Sequence, residues 1–223
     1  MDEKDYLNQM IEAGGKDAEL TPKQAKILEA AIEIFAERGY ASTSTSEIAK
    51  KAGVAEGTIF RHYKTKKELL ITIVKPVITK FAVPFFATHF VNQVFNEKTA
   101  DYEELLRKII RNRFEFAQKN VPLIKILLQE MAFHTEIQQS YQDVFKKEVF
   151  PRFDETIKHF QARGQLVNYP SEAIIRFTIT TILGFLITRF IVMPKADWND
   201  EAEINRTIHF LMNGLSKGNE ERL

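Results

Sequence analysis

Residues 39–70 read GYASTSTSEIAKKAGVAEGTIFRHYKTKKELL. This stretch holds two short helical patterns on either side of a tight turn at Gly53, and a basic, aromatic segment follows them. That is the layout of a helix-turn-helix, whose second helix enters the major groove of DNA. The stretch therefore predicts a compact unit that reads double-stranded DNA.

Capping boxes mark the helix starts around this stretch. A capping box pairs a Ser or Thr cap with Glu or Gln three residues later, and each cap stabilises its helix by about 1 kcal/mol. The pattern occurs at Thr21–Gln24, Ser44–Glu47 and Thr65–Glu68. Gly39 and Gly53 predict helix ends, with Gly39 in the left-handed conformation. Short, sharply bounded helices of this kind leave little room for a catalytic cleft.

Charge is distributed unevenly along the chain, although the net charge is only +1. Residues 57–67 carry four bases and no acid, namely Arg61, Lys64, Lys66 and Lys67. Such cations bind phosphates and release counterions from DNA, but short basic clusters also occur at ordinary solvated helix ends. Residues 1–19 hold six acids against two lysines and contain the helix-breaking pair at 14 and 15, so they predict a mobile acidic arm.

The composition argues against several classes of protein. There is no cysteine, which excludes disulfides and thiolate catalysis. The five histidines are scattered, with no zinc-protease pair, nucleophile elbow or glycine-rich phosphate loop, so we expect no enzyme, no cofactor and no metal site. The acidic N-terminus does not resemble a signal peptide. The apolar segment 177–193 contains Arg189 and falls short of the roughly 20 residues of a membrane span, so a cytoplasmic chain is expected.

The remainder of the chain is predicted to be helical. Helical patterns cover 102–119, 122–134, 136–163 with an interruption at Pro151, 171–193 and 200–215. No segment shows strand alternation bounded by hairpin turns. These patterns predict an all-α fold.

Residues 22–70, about a fifth of the chain, resemble the tetracycline-repressor-like (TetR) family of transcriptional regulators. The family pattern has a helix ending in Gly-Tyr or Gly-Phe, then an Ile-Ala-x-x-Ala-Gly-Val segment, a Gly-Thr-Leu-Tyr-like recognition helix and a Phe-x-x-Lys-x-x-Leu-like tail. The resemblance is specific because spacing and residue types agree across three helices. It is carried by Gly39, Thr45, Ile48, Ala49, Ala52, Gly53, Val54, Gly57, Thr58, Phe60, Tyr63, Lys66, Glu68 and Leu69.

The resemblance implies a bacterial regulator, usually a repressor, that binds a palindromic operator as a homodimer and is released by a small, lipophilic effector. On this basis residues 1–19 are the arm, 20–66 the three-helix helix-turn-helix DNA-binding domain, and 67–223 a C-terminal helical domain for effector binding and dimerisation. A helical ligand-binding dimer without specific DNA binding is the alternative. It is motivated by Ala55, which replaces the usual capping Ser or Thr, and by the acid Glu56 near the DNA face.

The predicted DNA contacts lie at the start of the second helix and along the recognition helix. The first group offers hydroxyls and free amides to a phosphate. In the second group, Gly57 allows close approach, Thr58 and Arg61 can reach base edges, and Phe60 replaces the common Tyr. Ile59 is expected to face the core, and a core position is the alternative for Phe60. Glu56 repels phosphate unless it accepts from a cytosine amine. The full predicted set is Ser44, Thr45, Ser46, Glu56, Gly57, Thr58, Phe60, Arg61, His62, Tyr63, Lys64 and Lys66.

The last two helices are predicted to form the dimer interface, because they carry more apolar surface than one buried stripe requires. The residues assigned to it are Thr178, Thr181, Phe185, Thr188, Ile204, Ile208, Leu211 and Leu215. An ordinary core within one chain is the alternative.

The middle helices combine many aromatic side chains with a few polar ones, which suits a pocket for a lipophilic effector. Phe residues at helical spacing are also typical of a plain core. The candidate pocket residues are Phe85, Phe86, His89, Phe90, Arg113, Phe114, Gln129, Phe133 and Phe177.

Overall fold

The computed structural model describes residues 20–82 and 101–215, and within these ranges the chain is helical, without a strand. The all-α prediction is confirmed. The helices are α1 (Pro22–Arg38), α2 (Thr45–Ala52), α3 (Glu56–His62), α4 (Lys66–Ala82), α5 (Tyr102–Lys119), α6 (Val121–Met131), α7 (Thr135–Val144), α8 (Phe150–Ala162), α9 (Ser171–Ile187) and α10 (Asp200–Leu215). π-Helical turns at Phe145–Val149 and Thr188–Val192 follow α7 and α9. The predicted arm at 1–19 lies outside the described residues.

Two of the predicted capping boxes are formed in full. The Thr21 hydroxyl accepts from the Gln24 amide at 3.3 Å, and the Gln24 side chain accepts from the Thr21 amide at 3.0 Å. Ser44 and Glu47 repeat the arrangement at 3.2 and 2.8 Å. At the start of α4, Thr65 accepts from the Glu68 amide at 3.0 Å. The returning bond there is displaced by one residue, because the Glu68 carboxylate accepts from the amide before Thr65.

The two glycines that end α1 and α2 adopt different conformations. Gly53 has φ 65° and ψ 36°, which is the left-handed helix end expected of glycine. Gly39 has φ 81° but ψ 156°, so the prediction of a left-handed residue was wrong for this position. A positive φ still favours glycine there. The extended ψ directs the chain away from α1 and into the turn before α2.

The described residues form two compact units. One unit takes the chain through Phe81 and adds Asn120–Asp143, which contain α6 and most of α7. The other unit takes Ala82–Lys119 together with the chain from Val144 onward. This grouping differs from the predicted boundary after residue 66, because α6 packs against α1. The predicted division into a DNA-binding and an effector domain remains a prediction about function.

The second unit packs α5, α8, α9 and α10 together. The fully buried Tyr102 ring on α5 makes an edge contact with Phe160 on α8 at 5.3 Å. The ring of Phe114, twelve residues further along α5, has its centre 4.9 Å from the centre of the Phe190 ring, in the π-helical turn that follows α9. Arg111 on α5 forms an ion pair with Glu201 on α10 at 2.5 Å.

The segment Ser171–Val192 is, by length and composition alone, long and apolar enough to cross a membrane. This corrects the expectation that Arg189 makes it too short. Arg189 lies near the end of the segment, where its guanidinium forms two hydrogen bonds with the Asp200 carboxylate at 2.5 and 3.1 Å. One third of the apolar window is buried in the chain, and the helix packs against α8, α5 and α10. The helix therefore has one face in a protein core and another that is open.

Candidate nucleic-acid interface

Helices α2 and α3 share a small apolar core. Ile48 and Ile59 are fully buried, and Ala49 is 3% exposed. The prediction that Ile59 points into the core is confirmed. Since α3 has only seven residues, this single inward residue leaves most of its side chains on the outer surface.

The outer surface of α3 carries both apolar and polar groups. Phe60 is 47% exposed, so the alternative that it belongs to the core is wrong. Glu56, Gly57 and Arg61 are exposed, whereas Thr58 and His62, like Thr45 on α2, are half-buried. A Cβ atom at Gly57 would meet nothing within 4 Å, so packing inside the chain does not require glycine there. The open space suits an outside partner that approaches the backbone closely.

Tyr63 departs from the predicted contact set. Its side chain is only 4% exposed, and burial raises the pKa of its hydroxyl to about 12. The residue follows the last turn of α3, where the chain leaves the helix in an extended conformation with φ −132° and ψ 110°. That change of direction turns the ring inward, so Tyr63 supports α3 from the core and is removed from the exposed surface.

The three hydroxyls at the start of α2 are not equally available to a phosphate. The Ser44 hydroxyl donates to the Glu47 carboxylate at 2.9 Å while it caps the helix. The Thr45 hydroxyl donates to the Glu56 carboxylate at 2.6 Å. Ser46 is exposed, and within the described ranges its hydroxyl has no hydrogen-bond partner. Of the three, Ser46 retains a proton to donate to a phosphate oxygen.

Lys66 has a different role from the predicted one. Its ammonium donates to the carbonyl oxygens of Tyr40 at 2.8 Å and Thr43 at 2.7 Å. The same ammonium lies 4.2 Å from the centre of the Tyr40 ring. Thr43 is 3% exposed and its hydroxyl donates to the Gly39 carbonyl at 2.8 Å. Lys66 therefore stabilises the turn that joins α1 to α2. Sequence analysis had assigned this lysine to the DNA backbone.

A polar cluster around Tyr40 joins this turn to α6 and α7. The Tyr40 ring makes an edge contact with His134 at 5.2 Å, and His134 lies 3.2 Å from the Glu130 carboxylate. Burial raises the pKa of Tyr40, with a further contribution from the negative charge of Glu130. Lys67 pairs with Glu136 at 2.5 Å. Sequence analysis missed this cluster, because its members are about 70 to 95 positions apart and follow no local spacing.

The basic segment 57–67 is consequently less available than its composition indicates. Lys66 is bound to carbonyls and Lys67 to an exposed acid, so both charges already have partners within the chain. Arg61 and Lys64 are exposed, and neither forms an ion pair within the described part of the chain. These two cations are the ones that the recognition surface offers to phosphates or to acceptors on base edges.

The candidate pocket residues that the structure describes differ in their exposure and belong to two units. Phe133 is 81% exposed and Gln129 is exposed, so neither lines an enclosed cavity. Phe177 is 42% exposed and lies on the outer side of α9. Phe85, Phe86, His89 and Phe90 lie outside the described residues.

Arg113 and Phe114 on α5 are the candidate pocket residues that the structure buries. Phe114 is 8% exposed and stacks on Phe185 at 6.0 Å. Arg113 is 3% exposed, and burial lowers its pKa to about 9. Its guanidinium lies 5.3 Å from the Phe116 ring, and its Nε donates to the Asn112 side chain at 3.2 Å. Arg113 is therefore a buried, hydrogen-bonded guanidinium beside an aromatic ring.

Half of the predicted interface residues are buried within their own chain. Thr178, Ile204, Ile208 and Leu211 are at most 4% exposed, so assigning them to an interface was wrong and the alternative of an ordinary core holds. The hydroxyl of Thr178 faces Tyr102, whose pKa burial raises to about 12 against a lowering contribution from that threonine. Thr181, Phe185 and Thr188 are half-buried. The side chain of Leu215 lies outside the described residues.

An exposed face nevertheless runs along α9 and α10. On α9 it includes Phe177 and Gly184, and Thr181 and Thr188 lie on the same face of the helix. On α10 it includes Phe210, which is 69% exposed, and Gly214, where a Cβ would meet the Phe177 ring at 3.6 Å. On α10 the predicted apolar stripe is used in the core of its own chain, and Phe210 and Gly214 beside it remain exposed.

Comparison with known proteins agrees with this architecture. The model of the tetR family of bacterial regulatory proteins matches residues 27–73, which span most of α1 through the first half of α4. Residues 27–73 thus match the N-terminal part of TetR-family regulators. The fatty acid metabolism regulator protein of Bacillus subtilis (strain 168) is 30% identical over 125 residues, which are 56% of this chain and 61% of that protein. The match thus spans less than two thirds of the length of that relative.

Two solved structures extend the likeness beyond the helix-turn-helix. The fatty acid degradation regulator FadR from Bacillus halodurans has a TM-score of 0.67 at 23% identity, covering 88% of this chain and 98% of the other. FadR from Bacillus subtilis, solved in complex with stearoyl-CoA, has a TM-score of 0.64 at 25% identity. It covers 85% of this chain and 97% of the other. The likeness in fold therefore extends beyond the helix-turn-helix to the C-terminal helices.

Replacing Lys66 by Met tests its structural role. The Lys66→Met chain loses two charge-assisted hydrogen bonds to part-buried carbonyls, so we expect the free energy of unfolding to fall by about 2 kcal/mol. Chemical denaturation of the full chain measures the change. Lys64→Met, on the exposed neighbour, should stay within about 0.5 kcal/mol of the original chain. Equal losses for both variants would contradict the assignment.

Proposed function

We propose that this chain is a transcriptional repressor that binds a palindromic operator as a homodimer and is released by a small, lipophilic effector. The observation that carries the proposal is the outer surface of α3. An exposed Phe60, an exposed Arg61 and the open backbone at Gly57 face outward, while Ile59 and Tyr63 hold the helix from inside. Gly57 leaves room for close approach of a base edge, Arg61 can donate to guanine, and the Phe60 ring can contact a thymine methyl group.

A dimer follows from the short reach of one helix-turn-helix head, which consists of α1, α2 and α3. Seven residues of α-helix are about 10 Å long and span roughly three base-pair steps. A site this short recurs too often among the roughly 10⁶ or more competing positions of a genome to be selective. Two heads related by a two-fold axis on a palindrome roughly square that selectivity. The exposed face of Phe177, Gly184, Phe210 and Gly214 supports self-association through α9 and α10.

The proposed effector is a long-chain acyl compound. This class is motivated by the printed names of the two FadR relatives, one of which is described in complex with stearoyl-CoA. In this chain, Arg113 supplies a buried positive charge beside Phe114 and Phe116. A desolvated guanidinium binds a carbonyl or carboxylate oxygen more strongly than an exposed one does. A regulator of this kind acts in the cytoplasm, where its operator is located.

Selection of duplexes from a random pool tests the DNA-binding proposal. We expect the full chain to enrich a palindrome with two identical half-sites. Binding should weaken as salt increases, with a logarithmic slope of about −0.9 for each phosphate contacted. A weak, sequence-independent response would overturn the repressor and favour the alternative of a ligand-binding dimer that does not read DNA.

The dimer face is tested by placing a charge at its centre. Phe210→Glu should shift the chain from dimer to monomer in analytical ultracentrifugation, because a carboxylate buried without a partner costs several kcal/mol. Binding to the selected palindrome should be lost with it. Phe133→Glu is the matched control, since Phe133 is even more exposed but belongs to the other unit. If Phe210→Glu remained dimeric, this face would not be the interface.

The effector is tested by titrating stearoyl-CoA, stearate and free coenzyme A into the complex with operator DNA. We expect stearoyl-CoA to release the DNA, and Arg113→Met to require at least about tenfold more of it, because a hydrogen bond to a charged group is lost. Arg111→Met on the same helix is the control, since Arg111 is exposed and pairs with Glu201. Release by none of the three compounds would exclude the acyl class and leave the DNA-binding proposal standing.

A further inference from the structure

A hydrogen bond between Thr45 and Glu56 joins the beginnings of α2 and α3, the two helices of the helix-turn-helix. Glu56 is the first residue of α3 and Thr45 the first residue of α2. The Thr45 hydroxyl donates to Oε1 of Glu56 at 2.6 Å, a bond between residues 11 positions apart. At 2.6 Å this is a short, charge-assisted hydrogen bond. It fixes the direction of a carboxylate that would otherwise rotate freely at the exposed end of a helix.

The bond also decides what each group can still do. A threonine hydroxyl has one proton, and here that proton points at Glu56, so Thr45 cannot at the same time donate to a phosphate oxygen. An ionised carboxylate only accepts hydrogen bonds, and Glu56 retains a second oxygen and unused lone pairs. Within the described part of the chain no cation forms an ion pair with Glu56. An oriented, uncompensated negative charge is therefore presented beside the open backbone of Gly57.

A fixed carboxylate on this surface discriminates among the groups that DNA offers. Phosphates repel it, and guanine and thymine present acceptors in the major groove, which repel it as well. Cytosine presents the N4 amine as a donor without an adjacent acceptor, whereas the adenine amine lies next to the acceptor N7. Of the four bases, cytosine is the one that best satisfies this acceptor.

From this geometry we propose that Glu56 is a specificity-determining residue, which accepts from a cytosine amine in each half-site and repels phosphate at other positions, and that Thr45 is the positioning residue that holds it. The inference rests on the proposed function, since it assigns one base within the operator. It predicts a protein whose binding to non-specific DNA is kept weak by its own recognition helix.

Base preferences of three variants test the inference by selection from the random pool and by titration of single-site operator variants. We expect the original chain to require cytosine at one position of each half-site. Glu56→Gln should reduce discrimination at that base pair by roughly 5- to 50-fold and bind non-specific duplexes more tightly. Thr45→Val should relax the same base pair. The double variant should relax it no further than Glu56→Gln alone, because Thr45 acts through Glu56.

The dependence on base sequence separates this role of Thr45 from a phosphate contact. If Thr45 bound a phosphate, Thr45→Val would weaken all sequences equally, because phosphate contacts carry no sequence information. Under our proposal Thr45→Val relaxes one base pair of each half-site and leaves the other preferences unchanged. Glu37→Gln is the control for charge alone, since Glu37 is an exposed acid at the end of α1. It should raise the affinity for every duplex slightly and leave each base preference as it was.

The outcomes are distinguishable from failure of the proposed function. A chain that enriches no sequence overturns DNA-specific binding itself. A chain that enriches a palindrome, while Glu56→Gln returns the same base preferences at every position, overturns only the role of Glu56. Equal weakening of every sequence in Thr45→Val, with the base preference retained, overturns the role of Thr45 as a positioning residue. Thermal melting of each variant checks that the fold is retained.

Discussion

The orientation of α2 and α3 depends on which donors bind the carbonyl groups of the turn between α1 and α2. The turn follows Gly39, whose positive φ breaks the helical hydrogen-bonding pattern. Two carbonyls of the turn are left without helical partners, and the ammonium of Lys66 binds both. A part-buried carbonyl without a donor costs about 1 to 3 kcal/mol, so this lysine makes a sharp, compact turn possible. Ser44, which caps α2, follows directly after this turn.

The same turn is the point at which α6 and α7 join the head. Tyr40 contributes its carbonyl to Lys66 and its ring to His134, while Lys67 pairs with Glu136. Helix α5, which carries the buried Arg113, leads through Asn120 directly into α6. A shift of α6 would therefore act on the turn before α2 through Tyr40. On the proposed function this gives an effector a route to the recognition helix, through the chain from α5 into α6 and the contacts of Tyr40.

Features set by neighbouring residues were predictable from the sequence, and features set by distant packing were not. Capping boxes at Thr21 and Ser44, the inward Ile59 and the bounds of α5 and α10 follow from local spacing, and each was confirmed. The roles of Lys66 and Thr45 were missed, because their partners lie 23 to 26 and 11 positions away. The helical period shows the apolar stripe of α10 but cannot say whether its own chain or a partner covers it. Burial decided that question in favour of Ile204, Ile208 and Leu211 as core.

The small number of free cations along and beside the recognition helix connects its charge to the need for a dimer. Within the segment 57–67 Arg61 and Lys64 are exposed, whereas Lys66 binds two carbonyls and Lys67 pairs with Glu136, and the preceding Glu56 adds a negative charge at the surface. Each phosphate contact contributes a salt-dependent part of the affinity, so a recognition helix with two available cations adds little phosphate binding. On the proposed function, two heads held at a fixed separation gain through effective concentration. An effector then needs to change only that separation to weaken binding to DNA.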